Sequence, residues 1–160
     1  MSAKTYTVER STIIDAPAGS IYAQLADFHH WAQWSPWEDV DPGMQRTYSG
    51  PRSGAGARYA WSGNSKAGRG QMEITDATEP TRVVVDLVFE KPFKARNDTT
   101  FVIQPEGDQS RVTWSMTGQK TLVIKLMSLA TSMDRFLGRD FEKGLARLKS
   151  VSEGSGSAAP

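Results

Sequence analysis

The sequence predicts an α+β domain: one strand, two short helices, a run of about six strands, then a long C-terminal helix. Three observations predict it. Residues 44–119 alternate apolar and polar side chains between Gly and Pro punctuation, as antiparallel strands do. After Lys120 the apolar period lengthens to that of a helix. Between the first strand and this run, Trp31, Trp34 and Trp37 fall within a span of seven residues, a concentration of apolar rings that must close over something.

Taken in order, residues 4–15 alternate and are rich in Thr, Val and Ile, which predicts the first strand. Asp15 is the expected cap of a short helix with Pro17 in its first turn and Ile21, Tyr22 and Leu25 on its apolar side. The Trp-rich run follows as a second short helix that Pro36 breaks into a loop. In the meander, Tyr59 and Trp61 share a face, as do Met72 and Ile74, then Val83, Val85, Leu87 and Phe89, then Asn97, Thr99, Phe101 and Ile103, then Val112, Trp114 and Met116. The opposite faces carry Arg58, Gln71, Glu73, Arg96, Asp98, Arg111 and Thr113, so one side is buried and the other wet. Met133, Leu137, Phe141, Gly144, Leu145, Leu148 and Val151 then recur at helical spacing. The preceding stretch, Leu122 to Ala130, is also helical in character. Gly138 and the pair Thr131-Ser132 are the expected places for a break. The long helix needs a partner for its apolar stripe, and the sheet supplies it.

Composition narrows the function. The chain has 160 residues, which fits a single domain over 1–152 followed by a Gly/Ser-rich flexible tail over 153–160. Nineteen basic residues stand against eighteen acidic ones, spread along the chain, so neither nucleic acid nor an anionic membrane is an expected partner. Cysteine is absent, which rules out disulfides and thiolate chemistry and suits a reducing cytoplasm, the expected location. No apolar run is long enough to predict stable membrane insertion. A monomer or weak dimer is expected.

Several strings resemble the START-like, helix-grip superfamily, in particular its polyketide cyclase/dehydrase-like (SRPBCC) branch. They are Phe28-His-His-Trp31-Ala-Gln-Trp34-Ser-Pro-Trp37-Glu-Asp39, Tyr48-Ser-Gly50-Pro51 and Gly54-Ala-Gly56-Ala-Arg-Tyr59-Ala-Trp61-Ser-Gly63-Asn64. Further matches are Glu90-Lys-Pro92-Phe93, Val112-Thr-Trp114-Ser-Met116-Thr-Gly118 and Asp140-Phe141-Glu-Lys-Gly144-Leu145. The resemblance covers roughly residues 5–152. It implies a seven-stranded antiparallel sheet curved around the C-terminal helix, with an apolar cavity between them.

Residues facing that cavity are the ligand-binding candidates: Trp31, Trp34, Trp37, Tyr48, Tyr59, Trp61, Phe89, Asn97, Thr99, Phe101, Trp114, Met116, Met133 and Phe141. The same aromatic residues, with Met127, could instead be ordinary core. Asn97 and Thr99 either orient a bound carbonyl or hydroxyl or mark where the strand opens to solvent. The expected function is to bind or carry a hydrophobic or aromatic small molecule: a lipid, a quinone or a polyketide-like compound. One alternative is a cyclase-, dehydratase- or hydrolase-type enzyme, for which Glu38, Asp39, Tyr59 and Asn97, with Arg46 and Tyr48, are the acid, base or orienting candidates. Glu38 and Asp39 read more readily as turn residues, and no pair among these has a diagnostic spacing, so the reading leans away from an enzyme. Another alternative is a protein-interaction module. No cofactor or metal is expected. Gly54-Ala-Gly56 precedes a strand rather than a helix, and the adjacent His29 and His30 diverge by about 100° on a helix.

Overall fold

The computed structural model describes residues 5–35, 43–64, 68–91, 95–119 and 133–158. Seven strands, β1 (Thr5–Ile14), β2 (Gln45–Ser49), β3 (Arg58–Ser62), β4 (Arg69–Thr78), β5 (Arg82–Lys91), β6 (Ala95–Glu106) and β7 (Gln109–Gln119), form one sheet in the order β1-β7-β6-β5-β4-β3-β2. Every neighbouring pair is antiparallel. Helix α1 (Ala18–Leu25) and a 3-10 helix (Phe28–Gln33) lie between β1 and β2, and α2 (Met133–Ala158) closes the chain. Strand 1 therefore pairs with the last strand and not with the next in sequence, which brings both ends of the domain together. This is the helix-grip arrangement.

The predicted faces are the observed ones. Val83, Val85, Phe101, Ile103, Val112, Trp114 and Met116 are buried on the inner side, and α2 covers part of that side with Phe141, Leu145 and Leu148. The Trp114 and Phe141 rings stack with centroids 4.2 Å apart and planes only 5° from parallel, fixing the helix on the sheet. Polar contacts stitch its length to β1. Arg10 Nε donates to Glu142 at 2.9 Å, Lys149 Nζ donates to the Ile13 carbonyl at 3.1 Å and pairs with Glu153.

Two local expectations need correction. Asp15 does not cap α1: the capping position is Pro17, in extended conformation and without a side-chain cap bond. The Asp15 backbone N–H donates instead to the Glu153 carboxylate at 2.9 Å, so the residue is spent on α2. Gly138 does not break the last helix, which runs through it. The Arg10 guanidinium lies where a Cβ at 138 would sit, so the missing side chain serves as a seat for β1 rather than a hinge. Helical backbone also continues past Glu153 to Ala158, into composition that reads as flexible tail. Leu122–Ala130 and Thr131-Ser132 lie outside the described residues.

Candidate functional site

The 3-10 helix decides where the tryptophans go. With three residues per turn, side chains at i and i+3 eclipse, so Phe28, Trp31 and Trp34 align on one side. All three are buried, while His29 and His30 on the other side are half-exposed. Asp27 starts this turn by accepting from the His29 backbone N–H at 2.9 Å. Each buried indole also finds a partner on the preceding segment: Trp31 Nε1 donates to the Leu25 carbonyl at 3.0 Å and Trp34 Nε1 to the Gln24 carbonyl at 3.2 Å. Trp37, Glu38 and Asp39 lie outside the described residues.

Ring contacts then run without interruption from Phe28 through Trp31 and Trp34 to Phe101, Trp114 and Phe141, with centroids 4.2–5.8 Å apart. Five of the candidate ligand-binding residues (Trp31, Trp34, Phe101, Trp114 and Phe141) thus meet one another and fill one end of the interior. Met133 opens α2, and its side chain lies outside the described residues.

The other end of the inner face is less closed. Cross-strand register aligns Tyr48, Tyr59, Met72, Leu87, Asn97, Gly118 and Tyr6 in one row across all seven strands. Beside it runs the shorter row Trp61, Gly70, Phe89. Tyr48, Trp61, Met72 and Phe89 are only partly buried and form a rim of three aromatic rings and a thioether, with the Trp61 and Phe89 rings edge to face at 5.7 Å. Tyr59 is buried and packs on Phe28 and Tyr48. Gly70 makes room for the Trp61 indole, which occupies the space a Cβ would take.

Within these apolar rows sits a small polar island. Asn97 is 5% and Thr99 4% exposed, so this part of β6 does not open to solvent. Tyr6 donates its phenolic O–H to Asn97 Oδ1 at 2.8 Å. The bond crosses above Gly118, whose lack of a side chain leaves the gap: a Cβ there would collide with Asn97 Oδ1 and the Tyr6 ring. Burial pushes the Tyr6 phenol above its ordinary pKa and keeps it a donor. Thr99 Oγ1 is buried next along the strand and has no hydrogen-bond partner among the described residues. A buried hydroxyl without a hydrogen bond costs about 1–3 kcal/mol, so such a group favours any ligand that can accept from it or donate to it. Thr99 and Asn97 were legible in the alternation of β6; Tyr6 was missed. Its signal was the alternation with Val8, but nothing local says that β1 lies two strands from β6.

Of the remaining catalytic candidates, Arg46 hydrogen-bonds the Met44 carbonyl at 3.4 Å. No group of three or more His, Cys, Asp or Glu side chains among the described residues could hold a metal ion. No helix among the described residues is long and apolar enough to cross a membrane.

A family model described as polyketide cyclase/dehydrase and lipid transport matches residues 5–153. No curated protein matches the sequence. Solved structures similar to this chain include a protein from Thermus thermophilus with 19% identity and TM-score 0.67, covering 94% of this chain and 99% of the other. Ginseng major latex-like protein 151 from Panax ginseng has 13% identity and TM-score 0.67, covering 93% and 98%. A protein from Chromobacterium violaceum has 13% identity and TM-score 0.67, covering 92% and 96%. At these identities the likeness shows the fold alone.

Proposed function

Because this chain belongs to the polyketide cyclase/dehydrase and lipid transport family, we propose that it binds a hydrophobic or aromatic small molecule between the sheet and α2. The ligand class is lipid, quinone or polyketide-like. The observation that carries this reading is the buried Thr99 hydroxyl, without a partner among the described residues and beside the Tyr6–Asn97 hydrogen bond on an otherwise apolar face. Apolar walls with a few convergent polar groups are the usual composition of a small-molecule site. In this reading Leu87, Met116 and the half-buried rim of Trp61, Phe89 and Met72 take the ligand's apolar body. Thr99 and the Asn97 amide orient its oxygen.

Binding is a better account than catalysis. Cyclase- or dehydratase-type chemistry needs an acid or base matched to the working pH. Among the described inner-face polar groups, Tyr6 is instead held protonated by burial, and Asn97 and Thr99 do not titrate. A cysteine-free protein of balanced charge suits a carrier working in a reducing cytoplasm, as a monomer or weak dimer.

Native mass spectrometry of the gently purified protein, followed by denaturing extraction, tests the reading. A stoichiometric hydrophobic companion, retained less by Thr99→Val, is the expected result. Bare protein that also fails to take up added lipids, quinones and polyketide-like aromatics would overturn it.

A further inference from the structure

A groove of about 290 Å³ lies at the end of the sheet formed by β2 and the loop after it, lined by Phe28, His29, Tyr48, Pro51, Arg52 and Arg58, among others. Its walls combine two chemistries. Tyr48 and Pro51 offer apolar surface with the buried Phe28 behind them, and the His29 imidazole stacks on Tyr48 with centroids 3.9 Å apart and planes 18° from parallel. Arg52 and Arg58 supply positive charge, and among the described residues no carboxylate lines the groove.

The charges are anchored without being used up. Asp27, buried beneath the turn, takes Arg52 Nε at 2.8 Å and His29 Nδ1 at 2.9 Å. A carboxylate accepts, so the His29 Nδ1 in this contact carries a hydrogen. Arg52 commits its Nε to Asp27, which leaves the terminal NH2 groups to face another acceptor. Arg58 lies 3.3 Å from Glu73 through its Nε. Gly50 and Gly56 hold the loop in place with positive φ, and Gly50 packs so closely on the Gly56 carbonyl that no side chain fits.

We propose that this groove is a second binding site, for a small aromatic carboxylate. The carboxylate would lie between the Arg52 and Arg58 guanidinium groups, and the ring against Tyr48 and Pro51. Guanidinium forks match carboxylate geometry, and the volume stands at the small end of ligand pockets, suited to one ring and its acid group. The groove shares Tyr48 with the inner-face row, but none of its lining residues belongs to the Tyr6–Asn97–Thr99 island, so it is testable apart from the inner-face reading.

Amide NMR titration with benzoate, benzamide and inorganic phosphate tests it on the full chain. Benzoate should shift the amides of His29, Tyr48, Ser49, Gly50 and Arg52 saturably, and benzamide and phosphate should bind at least about tenfold more weakly. Arg58→Gln, which leaves the Asp27–Arg52 pair intact, should weaken benzoate by about tenfold with an unchanged melting temperature. The proposal fails if benzoate shifts residues 97–99 in place of the groove, if benzamide or phosphate binds as well as benzoate, or if both Arg58→Gln and Arg52→Gln bind benzoate like the parent while remaining folded.

Discussion

Tyr6 and Asn97, 91 positions apart, share a buried hydrogen bond of 2.8 Å that spans the strand between them. The bond needs both the β1–β7 pairing and a glycine at 118, and it places the polar groups of an apolar face in one spot.

Gly118→Ala should break it. The new methyl collides with Asn97 Oδ1 and the Tyr6 ring, and backbone pairing on both sides leaves little room to yield. Denaturant unfolding should register a loss of about 1–3 kcal/mol. Unchanged stability would mean that Tyr6 and Asn97 are not held together.

Thr99→Val separates a ligand role from a structural one. Since Thr99 Oγ1 has no partner among the described residues, removing the hydroxyl should leave the ligand-free protein as stable or firmer by up to about 1 kcal/mol. Retention of the extracted small molecule should fall about tenfold. A large loss of stability in the ligand-free variant would instead make the hydroxyl a structural group.

Trp34→Ala reports on the aromatic plug. Trp34 is fully buried against Trp31, Phe101 and Trp114, so truncation should cost roughly 3–5 kcal/mol. A thermal melt should show this loss whether or not a ligand is bound. A near-normal melt with weakened ligand binding would place Trp34 at a pocket mouth instead.

Asp27 gives a pH dependence. Burial alone would raise its carboxyl, but hydrogen bonds from Arg52 and from the backbone and ring of His29, with the nearby His30, hold it below its ordinary value. A depressed folded-state pKa contributes stability that is fully present above the unfolded value of about 4 and is lost as pH falls through the folded value. Asp27→Asn should cost about 1–3 kcal/mol at neutral pH and flatten this acid limb in urea unfolding curves. An acid limb identical to the parent's would assign the dependence to other carboxylates.

Much of this molecule is written locally. The period of two in β3 to β7 assigns Val85, Thr99, Phe101 and Trp114 to one face and Arg96, Asp98 and Arg111 to the other. The longer period after 133 marks the closing helix. Both follow from backbone geometry within a few residues, and each hydrophobic face then needs cover. By itself the sequence determined an antiparallel sheet, a covering helix, and polar Asn97 and Thr99 on the inner face.

Only the tertiary structure decided which groups meet. Tyr6 reaches Asn97 because β1 pairs with β7; Arg10 lies on Gly138 because α2 crosses the same strand; Asp27 holds Arg52 because the loop after β2 folds back to the start of the 3-10 turn. These pairings join segments 25 to more than 90 residues apart. Alternation fixes the face on which a side chain lies but carries no information on which strand or loop will become its neighbour.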